Sequence, residues 1–133
     1  MKYRLRDGEQ VRQTRCAIAT GTVIAAGDLV AISAGLIIKA VAASAKVAYC
    51  RDGSADGDVV CEVSVGNDFT LRGEMDAVFA VAYKGGEYDI EDTTQLIDLD
   101  ASTTKVLKVS IGEDAGVVGV ATGVEVRINK PLF

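Results

Sequence analysis

The sequence predicts an all-β fold, a sandwich or small barrel of about ten short strands, and three observations carry that reading. Hydrophobic residues fill 49% of the 133 positions while aromatics fill only 5%, so the core is built from Val, Ile, Leu and Ala, a composition that suits packed sheets. Fourteen glycines stand against a single proline, Pro131, which implies tight turns made with positive-φ geometry. Several runs alternate apolar and polar residues with a period of two, the mark of half-buried strands.

The alternation is clearest in Val124-Glu125-Val126-Arg127-Ile128, in Val59-Val60-Cys61-Glu62-Val63-Ser64-Val65 and in Leu107-Lys108-Val109-Ser110-Ile111. Taken in chain order, the expected strands span residues 16–19, 29–33, 36–42, 46–50, 59–65, 77–83, 96–99, 107–111, 117–121 and 124–128. Turn chemistry separates them at Ala26-Gly27-Asp28, Ala34-Gly35, the Asp/Gly stretch 52–58, Gly66-Asn67-Asp68, Lys84-Gly85-Gly86 and Thr122-Gly123. The alanine-rich stretch 40–48 reads as strand, turn, strand, because Val41 and Val47 flank a segment too short for a stable helix. Residues 91–95 are expected to form a single helical turn. A glycine-centred turn feeding an apolar strand occurs at 26–30 and again at 122–126. No linker divides the chain, so residues 16–133 are expected to form one β domain.

Residues 1–15 differ in charge from the rest of the chain. They carry Lys2, Arg4, Arg6, Arg12 and Arg15 against Asp7 and Glu9, on a chain whose formal net charge is −5. The reading is an extended basic N-terminal arm in front of an acidic body, either frayed in solvent or docked on an acidic partner. The overall acidity argues against a nucleic-acid binder, which needs a basic surface to neutralise phosphates. No apolar run reaches the length of a membrane span and the N-terminus lacks a signal-peptide pattern, so a soluble protein made in the cytoplasm, with no membrane partner, is expected. Cys16, Cys50 and Cys61 are odd in number and lack metal-ligand spacing, which fits reduced core thiols; a Cys50–Cys61 bridge across a hairpin is the alternative.

The chain has no histidine, the commonest general base, nucleophile partner and metal ligand. Phosphate-cradling glycine motifs are absent, and the acidic residues fall mainly in turns. Asp52-Gly53-Ser54-Ala55-Asp56-Gly57-Asp58 mimics the first seven positions of a calcium loop, but the position of the closing bidentate carboxylate falls on Val63, so the cage is incomplete and a hairpin connection is the favoured reading. No catalytic residue, cofactor or metal is expected. The aromatic residues are not interleaved with Lys and Arg as a stacking platform for RNA would be. Leu132 and Phe133 end the chain with apolar side chains that either pack onto a neighbouring subunit or cap the domain's own core.

The order of features resembles the head decoration, or capsid cement, proteins of tailed bacteriophages. The resemblance rests on the basic N-terminal segment, on Gly21-Thr22-Val23-Ile24-Ala25-Ala26-Gly27-Asp28-Leu29-Val30, on Ala55-Asp56-Gly57-Asp58-Val59-Val60-Cys61-Glu62-Val63, on Gly66-Asn67-Asp68-Phe69, on Tyr83-Lys84-Gly85-Gly86-Glu87-Tyr88 and on the strand pair 117–128. It implies a β-sandwich or tulip-like barrel that forms a homotrimer on the outer surface of an expanded head, at three-fold or quasi-three-fold positions, and ties major capsid protein subunits together without catalysis. It further implies that residues 1–15 add a strand to the capsid, with Tyr3, Arg4, Leu5, Arg6, Arg12 and Arg15 docking and Leu132 with Phe133 packing between subunits. Nothing carries over to residues 90–105. A carbohydrate- or ligand-binding β-sandwich is the second reading, and a small nucleotidase-like enzyme the third; the first of these would call for exposed aromatics, and the chain has no tryptophan.

Overall fold

A computed structural model describes residues 1–133. Eleven strands form in chain order: β1 (Arg4–Leu5), β2 (Gln13–Ala17), β3 (Asp28–Ser33), β4 (Leu36–Lys39), β5 (Ala48–Cys50), β6 (Val60–Ser64), β7 (Leu71–Gly73), β8 (Glu87–Ile90), β9 (Ile97–Asp98), β10 (Leu107–Val109) and β11 (Val124–Ile128). The only helical elements are two 3-10 turns, Val81–Tyr83 and Glu113–Ala115. The fold is therefore all-β and sandwich-like.

One layer is a six-stranded antiparallel sheet in the order β1-β7-β11-β10-β8-β9. Facing it, β4-β3-β5 form a three-stranded sheet and β2 pairs with β6. A bridge between Ile18 and Ile37 links β2 to β4, with Ala19 N–H donating to Ile37 O at 2.9 Å. The strands β6-β2-β4-β3-β5 thus curl around an interior of their own. At the remaining seam, Tyr49 N–H donates to Ser64 Oγ (2.8 Å) and the Cys50 thiol to Glu62 O (3.4 Å), where a ladder would be needed to close a barrel. The curl stays open.

Strand β3 explains why two cores coexist. Its Leu29 and Ala31 point into the larger core, between the layers, against Leu71, Leu107, Val109, Val124, Val126 and Ile128. Val30, on the opposite face, points into the smaller core inside the curl with Ile18, Ile37, Cys61 and Val63. A strand buried on both faces reads as a continuous apolar run, as Leu29-Val30-Ala31 does, and not as an alternation. Each fully buried Leu, Ile or Val contributes about 1.5–3 kcal/mol of burial free energy.

The N-terminal segment, expected as an extended arm either frayed in solvent or docked on a partner, packs instead on its own domain. Tyr3 is 1% exposed, its N–H donates to Gly27 O (3.0 Å), and Arg4 and Leu5 pair with Arg72 and Leu71 on β7. Residues 13–17 pair along their whole length with β6. Segment 1–15 adds its strands to its own domain, because Tyr3 and Leu5 supply apolar surface that the sheet edge can bury. Gly27 makes this possible: it sits at φ +87°, and a Cβ there would stand 2.4 Å from Tyr3 O.

Two expected strands, 77–83 and 117–121, are loops, while β7 and β8 form where the sequence pattern predicts none. In the loops the polar backbone of Phe79 is satisfied locally, its N–H donating to Val120 O and its carbonyl accepting from Gly119 N–H, both at 3.0 Å. The valines flanking those bonds face solvent. Residues 91–95, expected as a single helical turn, form a hydrogen-bonded turn that is not helical, with Gln95 N–H donating to Glu91 O at 3.2 Å and Gln95 at φ +55°.

Candidate docking surface

Two loops, 77–86 and 111–120, lie against each other. The double hydrogen bond between Phe79 and residues 119–120 ties them together. Gly116 leaves room for the Phe79 ring, which a Cβ there would meet at 2.8 Å, and Ile111 Cγ2 lies 3.1 Å from where a Cβ on Gly85 would stand. Phe79 and Ala115 anchor the pair in the larger core. Of the 13 large hydrophobic residues left exposed, six lie on these loops: Val78, Val81, Ile111, Val117, Val118 and Val120. Because the loops are pinned from beneath, these side chains present a fixed surface. Apolar side chains concentrated in this way mark interaction surfaces, whereas single exposed ones need no explanation.

Next to Ile111, the outer face of the six-stranded sheet is charged. Glu125 lies on β11 with its side chain 9% exposed; Ser110 Oγ–H donates to its Oε1 at 3.1 Å, and the guanidinium groups of Arg6 and Arg72 stand 3.6 Å from its Oε2. Glu9 accepts from Thr70 through both oxygens at 2.7 Å. Lys108 and Arg127 face each other across the β10–β11 ladder. An open groove of about 440 Å³ runs over this face, and Ile111 forms its lip.

The residues expected to dock fall in different places. Tyr3 is a core residue, with Oη–H donating to Gln95 O at 2.6 Å and burial pushing its ionisation up. Leu5 packs half-buried against the larger core, and Arg6 lies in the groove. Arg4, Arg12 and Arg15 are exposed, with Arg4 on the edge strand β1 and Arg15 on β2. The structure does not gather them into one patch. Leu132 packs against the smaller core and its N–H donates to Val47 O at 3.0 Å, so it caps its own domain; Phe133 remains 43% exposed.

The three thiols occupy the smaller core and its rim. Cys16 and Cys61 are direct cross-strand partners, and burial pushes Cys61 up to about 12 and raises Cys16 and Cys50. A thiolate, the nucleophilic form, is disfavoured at all three. In the 52–58 loop, Asp58 accepts from Ala55 N–H, Ser54 Oγ from Ile24 N–H, and Asp52 pairs with Arg51, so these oxygens serve the turn itself. Carboxylates converge elsewhere: oxygens of Asp76, Asp98 and Asp100 lie within 4.8 Å of one another, and burial raises Asp76.

No protein-family model, curated protein or solved structure matches this chain. The docking surface therefore rests on geometry alone. Sequence reasoning missed the loop pair because Val117, Val118 and Val120 read as a strand; the glycines at 116 and 119, which break that run, were the available signal.

Proposed function

We propose that this chain is a structural assembly subunit, a decoration protein that binds the outer surface of an expanded phage head and stabilises contacts between major capsid subunits. The observation that carries the reading is the hydrogen-bonded pair of loops with six exposed aliphatic side chains on an otherwise well-packed β body. Such a surface suits contact with protein, since it offers apolar area to a partner. Three further features agree with it. The thiols are held in their neutral form. The chain lacks histidine. Four of the seven aromatics, Tyr3, Tyr49, Phe69 and Phe79, lie in the core, which leaves few rings for stacking on sugars and disfavours the carbohydrate-binding alternative.

Assembly as a homotrimer fits this role energetically. Several modest contacts per subunit sum to firm attachment, because the second and third contacts form at high effective concentration. The test is co-sedimentation with expanded, undecorated heads. The parent chain pellets with the heads, and a Val81→Asp/Val118→Asp variant stays in the supernatant. A parent chain that remains soluble beside saturating heads overturns the proposal.

A further inference from the structure

We infer that the groove over β10 and β11 is a binding site for a carboxylate-bearing polypeptide segment, held by Arg6, Lys108 and Arg127. The groups that line the groove differ in how far they are already engaged. Glu9 takes two hydrogen bonds from Thr70, and Glu125 takes one from Ser110 at Oε1, while its buried Oε2 has no hydrogen-bond partner and is met only by the guanidinium groups of Arg6 and Arg72 at 3.6 Å. Arg6 is thereby committed in part to Glu125, with a second ion pair to Asp114 at 3.8 Å. Lys108 and Arg127 make neither an ion pair nor a side-chain hydrogen bond within the chain. The groove thus holds two cations without partners.

The register makes the imbalance sharper. Lys108 stands directly opposite Arg127, and like charges in that relation are destabilising. Glu87, the carboxylate opposite Lys108 on its other side, accepts a hydrogen bond from Asn129 Nδ2 and forms no ion pair with Lys108. Lys108 and Arg127 therefore stand opposite each other with no carboxylate in ion-pair contact with either. A carboxylate placed between them would relieve the repulsion and accept charge-assisted hydrogen bonds, which are roughly twice as strong as neutral ones.

The same face selects against polyanions. Glu9 and Glu125 stay in the groove wall, and the chain as a whole carries a net charge of −5, so a string of phosphates meets repulsion where single carboxylates find gaps. Ile111, 76% exposed at the lip, adds apolar surface continuous with the loop pair, which suits a peptide with an aliphatic residue next to an acidic one. The occupant is therefore an acidic segment of a partner protein. Only the identification of that partner as a capsid surface rests on the function proposed above; a titration with peptide alone is independent of heads, so the two can fail separately.

The experiment is an NMR titration of the full chain with a capped Gly-Val-Glu-Gly-Val-Glu-Gly peptide, compared with its Gly-Val-Gln-Gly-Val-Gln-Gly counterpart, inorganic phosphate and an oligodeoxythymidine. The expected result is that the glutamate peptide moves the amides of Lys108, Ser110, Ile111 and Arg127 and that the glutamine peptide does not. Lys108→Gln/Arg127→Gln weakens binding at least about tenfold, as expected for the loss of two charge-assisted contacts. Lys46→Gln, an exposed cation outside the groove, leaves binding unchanged. Both groove positions are exposed, and unchanged amide shifts elsewhere verify that the variants fold. Unmoved groove amides, equal weakening by Lys46→Gln, or phosphate or oligonucleotide binding as tight as that of the glutamate peptide would each overturn the inference.

Discussion

Replacing Tyr3 by alanine separates a folded N-terminus from a free one. The ring is 1% exposed, lies against Gly73, where a Cβ would approach its Cε1 to 2.3 Å, and joins the larger core. Truncating a buried aromatic costs about 3–5 kcal/mol, the lost transfer free energy plus the cavity left behind. Tyr3→Phe keeps the ring and removes only the hydroxyl that donates to Gln95 O at 2.6 Å, a loss of about 0.5–1.5 kcal/mol. Equilibrium urea unfolding measures both. With a slope of about 1–3 kcal/mol per molar urea, the alanine variant shifts the midpoint down by on the order of 2 M and the phenylalanine variant by a fraction of that. An alanine variant within about 0.5 kcal/mol of the parent, the range of ordinary surface substitutions, would refute the reasoning and restore a detached arm.

Gln95→Leu is expected to cost at least about 2 kcal/mol in the same assay, because Leu29 N–H and Ala40 O would be buried without partners, while Leu29 O keeps only its bond from Ala40 N–H. Stability is expected to fall as pH rises above about 9: the unfolded chain releases the Cys61 proton near its ordinary value while the folded chain holds it up to about 12, so the unfolded state binds fewer protons across that window. Urea midpoints measured across the window show the fall, and Cys61→Ala makes it shallower. Val81→Asp and Val118→Asp leave the urea midpoint within about 0.5 kcal/mol of the parent, as exposed positions should, yet reduce the mass of any oligomer seen by light scattering.

The fold was legible wherever local pattern and burial agree. The period-two runs became β6, β10 and β11, and the turn at Ala26-Gly27-Asp28 feeds β3 as its glycine suggested. Residues 117–121 read as a strand because valine favours sheets, but Gly119 at φ +85° turns the chain there and leaves the valines in water. Tyr3 and Gln95 could not be read in advance. The basic charges around Tyr3 outweigh one aromatic residue in any local reading, and its burial depends on a gap at Gly27 and on β7, far along the chain. Gln95 lies in a turn, at φ +55°, and crosses the core to serve strands at 29 and 40. Of the groove residues, Arg6 stood out in the sequence through its charge, whereas Lys108 and Arg127 were visible only as the polar face of two strands, and their juxtaposition comes from register.

The measurement that bears most directly on a stabilising role is calorimetry of expanded, undecorated heads with and without saturating chain. A ligand that binds the assembled head and not its dissociated subunits raises the temperature of disruption by mass action. A stabilising role predicts an upward shift that saturates with added chain and is absent for Val81→Asp/Val118→Asp. Heads that bind the chain yet melt at an unchanged temperature would contradict it.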